Sequence, residues 1–267
     1  MNRQPAVAGY FYPGNKNELT KTMRSLIHEA GAKKNAKGIL VPHAGYLYSG
    51  EVAGKVYGAI ELPDTFIILC PNHTGRGEDI AIMENGTWTT PLGEAYIDKD
   101  LSHLIMDNYD EIHSDASAHE REHSLEVQLP FLQYLKEAFT FVPICIRTHN
   151  YEKISQLGKA LSQAIIASAR NVLIIASSDM THFESAISAE KKDQLAIEQM
   201  MTLNGKGLYD TIMSHGISMC GVFPATASLI ALKELNCSRG ELIEYTNSGK
   251  KTGDYSDVVA YAGMIFY

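Results

Sequence analysis

Leu19, Met23, Leu26, Ile27 and Ala30 recur at the three- and four-residue spacing of a helix face, with Asn17 placed to cap the helix and Gly31 to stop it. The pattern then changes. K-G-I-L-V-P-H from Lys37 is an apolar run of strand length ending at Pro42, residues 49–60 return to helical spacing, and T-F-I-I-L-C-P-N-H from Thr65 is a second such run that also reaches a proline. A strand with one wet face alternates apolar and polar residues, whereas a run apolar at every position is covered on both faces, as in parallel sheets crossed by helices.

The alternation continues along the chain. Short extended pieces A-I-M and T-W-T flank an Asn85-Gly86 turn signal within residues 79–93. Helices near Leu101 and Leu125 precede the strand F-T-F-V-P-I-C-I, a helix over 154–167 and the strand N-V-L-I-I-A-S-S-D. Helices over 194–201, 208–213 and 226–235 and closing strands over 241–245 and 258–266 complete the pattern. No Pro/Gly/Ser-rich linker interrupts it, so the expectation is one α/β domain over residues 1–267, its mostly parallel central sheet covered by helices on both faces.

Composition excludes several classes. At 45% apolar and 20% charged the chain is neither disordered nor fibrous. It carries 31 acidic against 23 basic residues, a net charge of −8, and no Lys/Arg-rich run, which argues against a nucleic-acid partner. The apolar runs are far shorter than a membrane span and the N-terminus has no signal-peptide core, so no membrane partner and a cytoplasmic location are expected. The four cysteines show no C-x-x-C spacing, so neither a zinc ribbon nor a redox pair is indicated. Cys70, Cys145 and Cys237 read as structural, and no phosphate-binding or dinucleotide glycine motif occurs.

The chemistry gathers after the buried strands. Pro42-His43-Ala44-Gly45-Tyr46, Pro71-Asn72-His73 and Ser177-Ser178-Asp179-Met180-Thr181-His182 each follow one, and in open α/β sheets ligands bind beyond the carboxyl ends of the strands. Neutral imidazoles of His43 and His73 suit a divalent metal, while Asp179 and His182 offer a carboxylate and an acid or base. Either histidine alone is an ordinary structural hydrogen-bonder, Asp179 alone a helix cap, and Ser177 and Ser178 turn or capping hydroxyls. Cys220, in M-C-G-V-F-P ahead of a helix, reads as a small buried hydrophobe or as a thiol of lowered pKa able to bind metal. H-E-R-E-H at residues 119–123 matches the H-E-x-x-H zinc hydrolase pattern, with Glu120 as its base. The preceding S-D-A-S-A lacks a buried helix's apolar stripe and Pro130 follows closely, so a charged helix start is the plainer reading, with His123 retained as a pocket residue.

These blocks together resemble the Memo family, protein B of a three-part system with an AMMECR1-like and a radical-SAM protein. The likeness rests on A-G-Y-F-Y-P near the start, V-P-H-A-G-Y at Val41, P-N-H at Pro71, T-P-L-G at Thr90, E-H-S-L-E-V-Q-L-P-F-L at Glu122, S-S-D-M-T-H-F at Ser177 and C-G at Cys220. The resemblance implies a fold like the class III extradiol dioxygenases. It implies a metal site of His43, His73 and Cys220, with His123, Asp179 and His182 as the remaining catalytic pocket residues. A thiolate in place of the dioxygenases' carboxylate favours copper, zinc or thiolate-bound iron over a facial-triad site, so ring cleavage does not follow from the fold. The leading expectation is an iron- or copper-binding redox protein acting on O₂ or a small organic molecule, with His182 moving protons under the orientation of Asp179 or His123. AMMECR1-like and radical-SAM proteins are its partners by family association. The alternative is a non-catalytic peptide- or protein-binding module with Trp88 and Tyr46 at the pocket rim, and a third reading is hydrolysis through H-E-R-E-H.

Overall fold

The structure, a computed structural model, describes residues 2–28 and 31–267. The chain runs through β1 (Asn2–Arg3), α1 (Lys16–Leu26), β2 (Gly38–Val41), α2 (Tyr46–Gly58), β3 (Thr65–Pro71), β4 (Ile80–Ile82), β5 (Thr87–Thr90), β6 (Gly93–Ile97) and α3 (Lys99–Asp107). It continues with β7 (His113–Ser114), α4 (His123–Glu126), α5 (Leu129–Leu135), β8 (Thr140–Ile146), α6 (Tyr151–Ser168), β9 (Val172–Ser177) and β10 (His182–Glu184). The last third holds α7 (Ala186–Met201), α8 (Gly205–His215), α9 (Val222–Glu234), β11 (Gly240–Asn247), α10 (Gly249–Thr252) and β12 (Val258–Phe266).

One mixed sheet carries these strands in the order β1-β5-β6-β8-β3-β9-β2-β12-β10, with β11 on β12 and β4 bridging β7 and β8. Its centre, β8-β3-β9-β2, is parallel, and β12 closes on β2 antiparallel. The unbroken apolar runs are explained by two cores. Along β3, Ile67 and Leu69 enter one cluster with Val142, Ile144 and Ile174, while Phe66, Ile68 and Cys70 enter the other with Phe141, Leu173 and Ile175. Successive strand side chains point to opposite faces, so a strand sandwiched between two helical layers has no polar position to spare. The α/β architecture with helices on both faces agrees with the sequence reading.

Several boundaries differ from that reading. Asn15, not Asn17, caps α1, its side chain accepting from the Glu18 amide at 3.0 Å. The helix ends at Leu26, short of Gly31, and Ala30 lies outside the described residues. The expected helix near Leu125 is two short ones, and Pro130 sits in the first turn of α5, where its missing N–H leaves no bond unmade. Periodicity missed β1, β6, β7, β10 and α10, which are too short or too polar to carry a period of their own.

Helices α1 and α2 meet at Gly54. A Cβ there would lie 2.1 Å from the Leu26 carbonyl oxygen, a backbone atom that cannot rotate away. Gly54→Ala is therefore expected to cost about 1–3 kcal/mol and to lower the thermal unfolding midpoint by roughly 5 °C, read by circular dichroism. An unchanged midpoint would show that the two helices separate without penalty.

Candidate metal centre

Parallel order places the carboxyl ends of β3, β9 and β2 side by side on one edge of the sheet. His73 follows β3, Asp179 follows β9 and His43 follows β2, so three segments far apart in sequence open into one hollow. His123, the first residue of α4, enters from above the same edge. The ligand atoms of His43, His73 and His123 all lie within 4.8 Å of one another, and among the described residues this is the group of His, Cys, Asp and Glu able to hold an ion.

Hydrogen bonds fix which nitrogen His43 and His73 present. Ser177 Oγ donates to the Ser124 carbonyl at 2.6 Å, so toward His43 Nδ1, 3.0 Å away, it acts as acceptor and Nδ1 carries the proton. His73 Nδ1 lies 2.9 Å from a Glu122 carboxylate oxygen, an acceptor only, and is protonated for the same reason. In both rings Nε2 is the unprotonated nitrogen, the one able to bind an ion. Burial, reinforced by the charges of His123, His73 and His182, drives the His43 pKa well below the ordinary value, which keeps that imidazole neutral. Burial lowers His123 as well, against the opposing charge of Glu122. Neutral imidazoles with second nitrogens anchored are the form that binds metal, so the donor set fits an ion.

Glu122 was not singled out from the sequence, because nothing in the spacing of E-H-S-L-E distinguishes it. Its fully buried carboxylate accepts from the His73 amide at 2.6 Å and from Ser124 N and Oγ at 3.0 and 2.7 Å. Burial by itself would raise its pKa, but the His73 hydrogen bond and the His73 and His123 charges outweigh that and hold it at about 2.

Cys220 lies against the cluster, its Sγ 3.1 Å from His43 Nε2 and accepting from the Asp179 amide at 3.3 Å. Burial, then the nearby Asp179 carboxylate, raises the thiol pKa. The lowered value expected beside a helix N-terminus is therefore not found: desolvation outweighs the start of α9. Asp179 Oδ1 accepts from the amides of His43 and Ala44 at 2.8 and 3.3 Å, holding the turn that presents the ring, and burial pushes its carboxyl up to about 6. His182 is oriented by backbone rather than by Asp179 or His123: its Nδ1 faces the carbonyls of Met180 and Ser218 at 2.7 and 3.0 Å. The segment is tied down from below, since buried Asp193 accepts from Thr181 Oγ1 at 2.6 Å and from the Tyr245 hydroxyl at 2.8 Å.

The H-E-R-E-H segment does not build a zinc hydrolase site. His119 precedes α4 in a turn, fully buried beside Trp88 with neither ring nitrogen hydrogen-bonded, and its pKa is lowered to about 4 by burial and Arg3. Glu120 faces outward to Arg76 at 3.6 Å. Two histidines four apart converge only on a continuous helix, and here the helix starts at the second. Nor does Trp88 stand at a pocket rim: it is fully buried with the Arg3 guanidinium 4.0 Å from its ring centre. Tyr46 is buried too, its hydroxyl donating to the Val127 carbonyl at 2.5 Å. Away from the cluster, His103 pairs with Glu84 at 3.2 Å on the surface. His149 instead lines a cleft of about 410 Å³ that runs outward from His73 and Cys220 between Ile146, Met219 and Phe223.

Among known proteins, the model of Memo-like proteins matches residues 3–265. A MEMO1 family protein of Aquifex aeolicus is 45% identical over 99% of this chain and 98% of its own length. One from Methanopyrus kandleri is 40% identical over 100% of this chain and 99% of its own. Among solved structures, an uncharacterized protein from Escherichia coli K12 matches at a TM-score of 0.52 and 12% identity, covering 85% of this chain and 99% of that one, a likeness of fold alone.

Proposed function

As the chain belongs to the Memo family, we propose that it is a cytoplasmic metal-binding redox protein that holds iron or copper at His43 and His73, with Cys220 and His123 on either side as further donors. The observation that carries this reading is the convergence of three imidazoles whose ligand atoms lie within 4.8 Å of one another. Adjacency of a thiol to His43 supports a soft or redox-active ion over magnesium or calcium, which prefer all-oxygen sites. When bound, such an ion supplies one-electron transfer and Lewis acidity.

The chain's own residues do the rest. His182, with Nδ1 fixed by two carbonyls, keeps an Nε2 lone pair to take a proton from a molecule in the hollow. Asp179 holds the His43 turn, and the cleft beside His73 and Cys220 has room for a small organic molecule. The fold reading extends to the class III extradiol dioxygenases, and the AMMECR1-like and radical-SAM proteins are the partners this family membership suggests.

Protein prepared without chelator under anaerobic conditions is expected to carry iron or copper, to lose it in a His43→Ala/Cys220→Ala double variant, and to consume oxygen on exposure to air. Metal analysis and an oxygen electrode read both. A native chain without metal, or binding unchanged in the double variant, would overturn the proposal.

A further inference from the structure

Glu122 is fully buried, and a buried carboxylate costs several kcal/mol unless its surroundings compensate it. The compensation here comes from the candidate metal ligands. One oxygen accepts from the His73 amide, while the other faces His73 Nδ1 at 2.9 Å and His123 Nδ1 at 3.4 Å. One carboxylate oxygen thus addresses two rings that arrive from different elements, the end of β3 and the start of α4. Ser124 supplies two further donors to that oxygen, fixing its position independently of the rings. The third ring, His43, is backed only by the neutral hydroxyl of Ser177.

A carboxylate behind an imidazole fixes its tautomer and orientation and strengthens its second nitrogen as a donor. We infer that Glu122 is the positioning residue of this centre, holding both His73 and His123 with Nε2 toward the ion and, through its charge, setting metal affinity and favouring the more highly charged state of a redox ion. The inference rests on the metal-binding reading above. Glutamine keeps the shape and one acceptor, removes the charge and turns the other oxygen into a donor, so the loss of charge is read from the difference between two oxidation states of one ion, which share the same packing.

The test uses cupric and zinc ions, each titrated against a chromophoric chelator. Glu122→Gln is expected to weaken binding of both by about 10–100-fold, and, because its amide nitrogen cannot accept from the backbone N–H it would face, to lower the thermal midpoint of the metal-free protein by roughly 2–12 °C. Loss of a negative charge should weaken cupric binding on the order of tenfold more than cuprous, raising the one-electron potential by about 59 mV. Affinities within threefold of the parent together with an unchanged potential would overturn the role.

A second measurement does not depend on the variant folding or on metal. Nitrogen-15 spectra of the metal-free parent, taken above the imidazole titration range, should show His73 and His123 protonated at Nδ1. A proton on Nε2 of either ring would overturn the inference. If the parent binds neither ion, the metal-binding reading fails instead, and the tautomers still report on Glu122.

Discussion

His73→Ala is expected to lower affinity for cupric or ferrous ion by more than 100-fold, beyond the roughly 10–100-fold that loss of an outer hydrogen-bonding partner costs. The substitution removes a donor and also strips the Glu122 carboxylate of its 2.9 Å imidazole partner, leaving a buried charge with less compensation. The His73 amide bond to Glu122 at 2.6 Å survives, so the loop after β3 should keep its course. His73 is also partly exposed, its side chain at 34%, and the thermal midpoint of the metal-free variant is expected within a few degrees of the parent. Competition titration and calorimetry check both. Retained affinity would place the ion elsewhere, and a collapse of the midpoint would make the ring structural.

The second large effect is on stability. Arg3 and Glu126 form an ion pair at 2.7 Å with side-chain exposures of 4% and 0%. Arg3 also donates to the carbonyls of His119 and Glu122 at 2.6 and 2.7 Å, and Glu126 accepts from Ala6 N, Val7 N and the Tyr12 hydroxyl at 2.7, 3.1 and 2.6 Å. Removing one partner of such a pair strands the other, at a cost of about 3–5 kcal/mol. Glu126→Ala is therefore expected to lower the midpoint by roughly 6–20 °C. Because Arg3 grips the backbone on either side of the turn leading into α4, the same variant should weaken metal binding through His123 and Glu122. A midpoint within 2 °C of the parent (about 1 kcal/mol or less) would mean that water replaces the pair without loss.

How much of this was legible beforehand differs by residue. His43, His73 and Asp179 stand at the ends of strands whose apolar runs are unmistakable, so their convergence followed from the parallel sheet those runs imply. His182 closes the polar run that follows the same strand as Asp179 and is read with it, whereas Cys220 has only the helix ahead of it as a marker, and family resemblance raises it to a metal ligand. Glu122 escaped both routes: its role exists only because the end of β3 comes to lie against the start of α4, 49 residues later in the chain. H-E-R-E-H misled in the opposite direction, since a motif on paper presumes a continuous helix and the backbone here turns before one begins. Trp88 lies in an extended piece of the sequence, and its burial under Arg3 makes it a strand aromatic and not a rim residue.

Apolar periodicity is a local property, and by itself it determined the order of the longer strands and helices, the coverage of the sheet on both faces and the class of fold. The strand order β3-β9-β2 is not local, because hydrogen bonding between strands is chosen by the packing of the whole chain. That choice brings His43 to within 3.1 Å of a thiol 177 residues away and puts one buried carboxylate behind two imidazoles. Tautomers, pKa directions and the separation of His119 from the cluster follow from burial and hydrogen-bond partners. Those exist only once the tertiary structure has removed the groups from water.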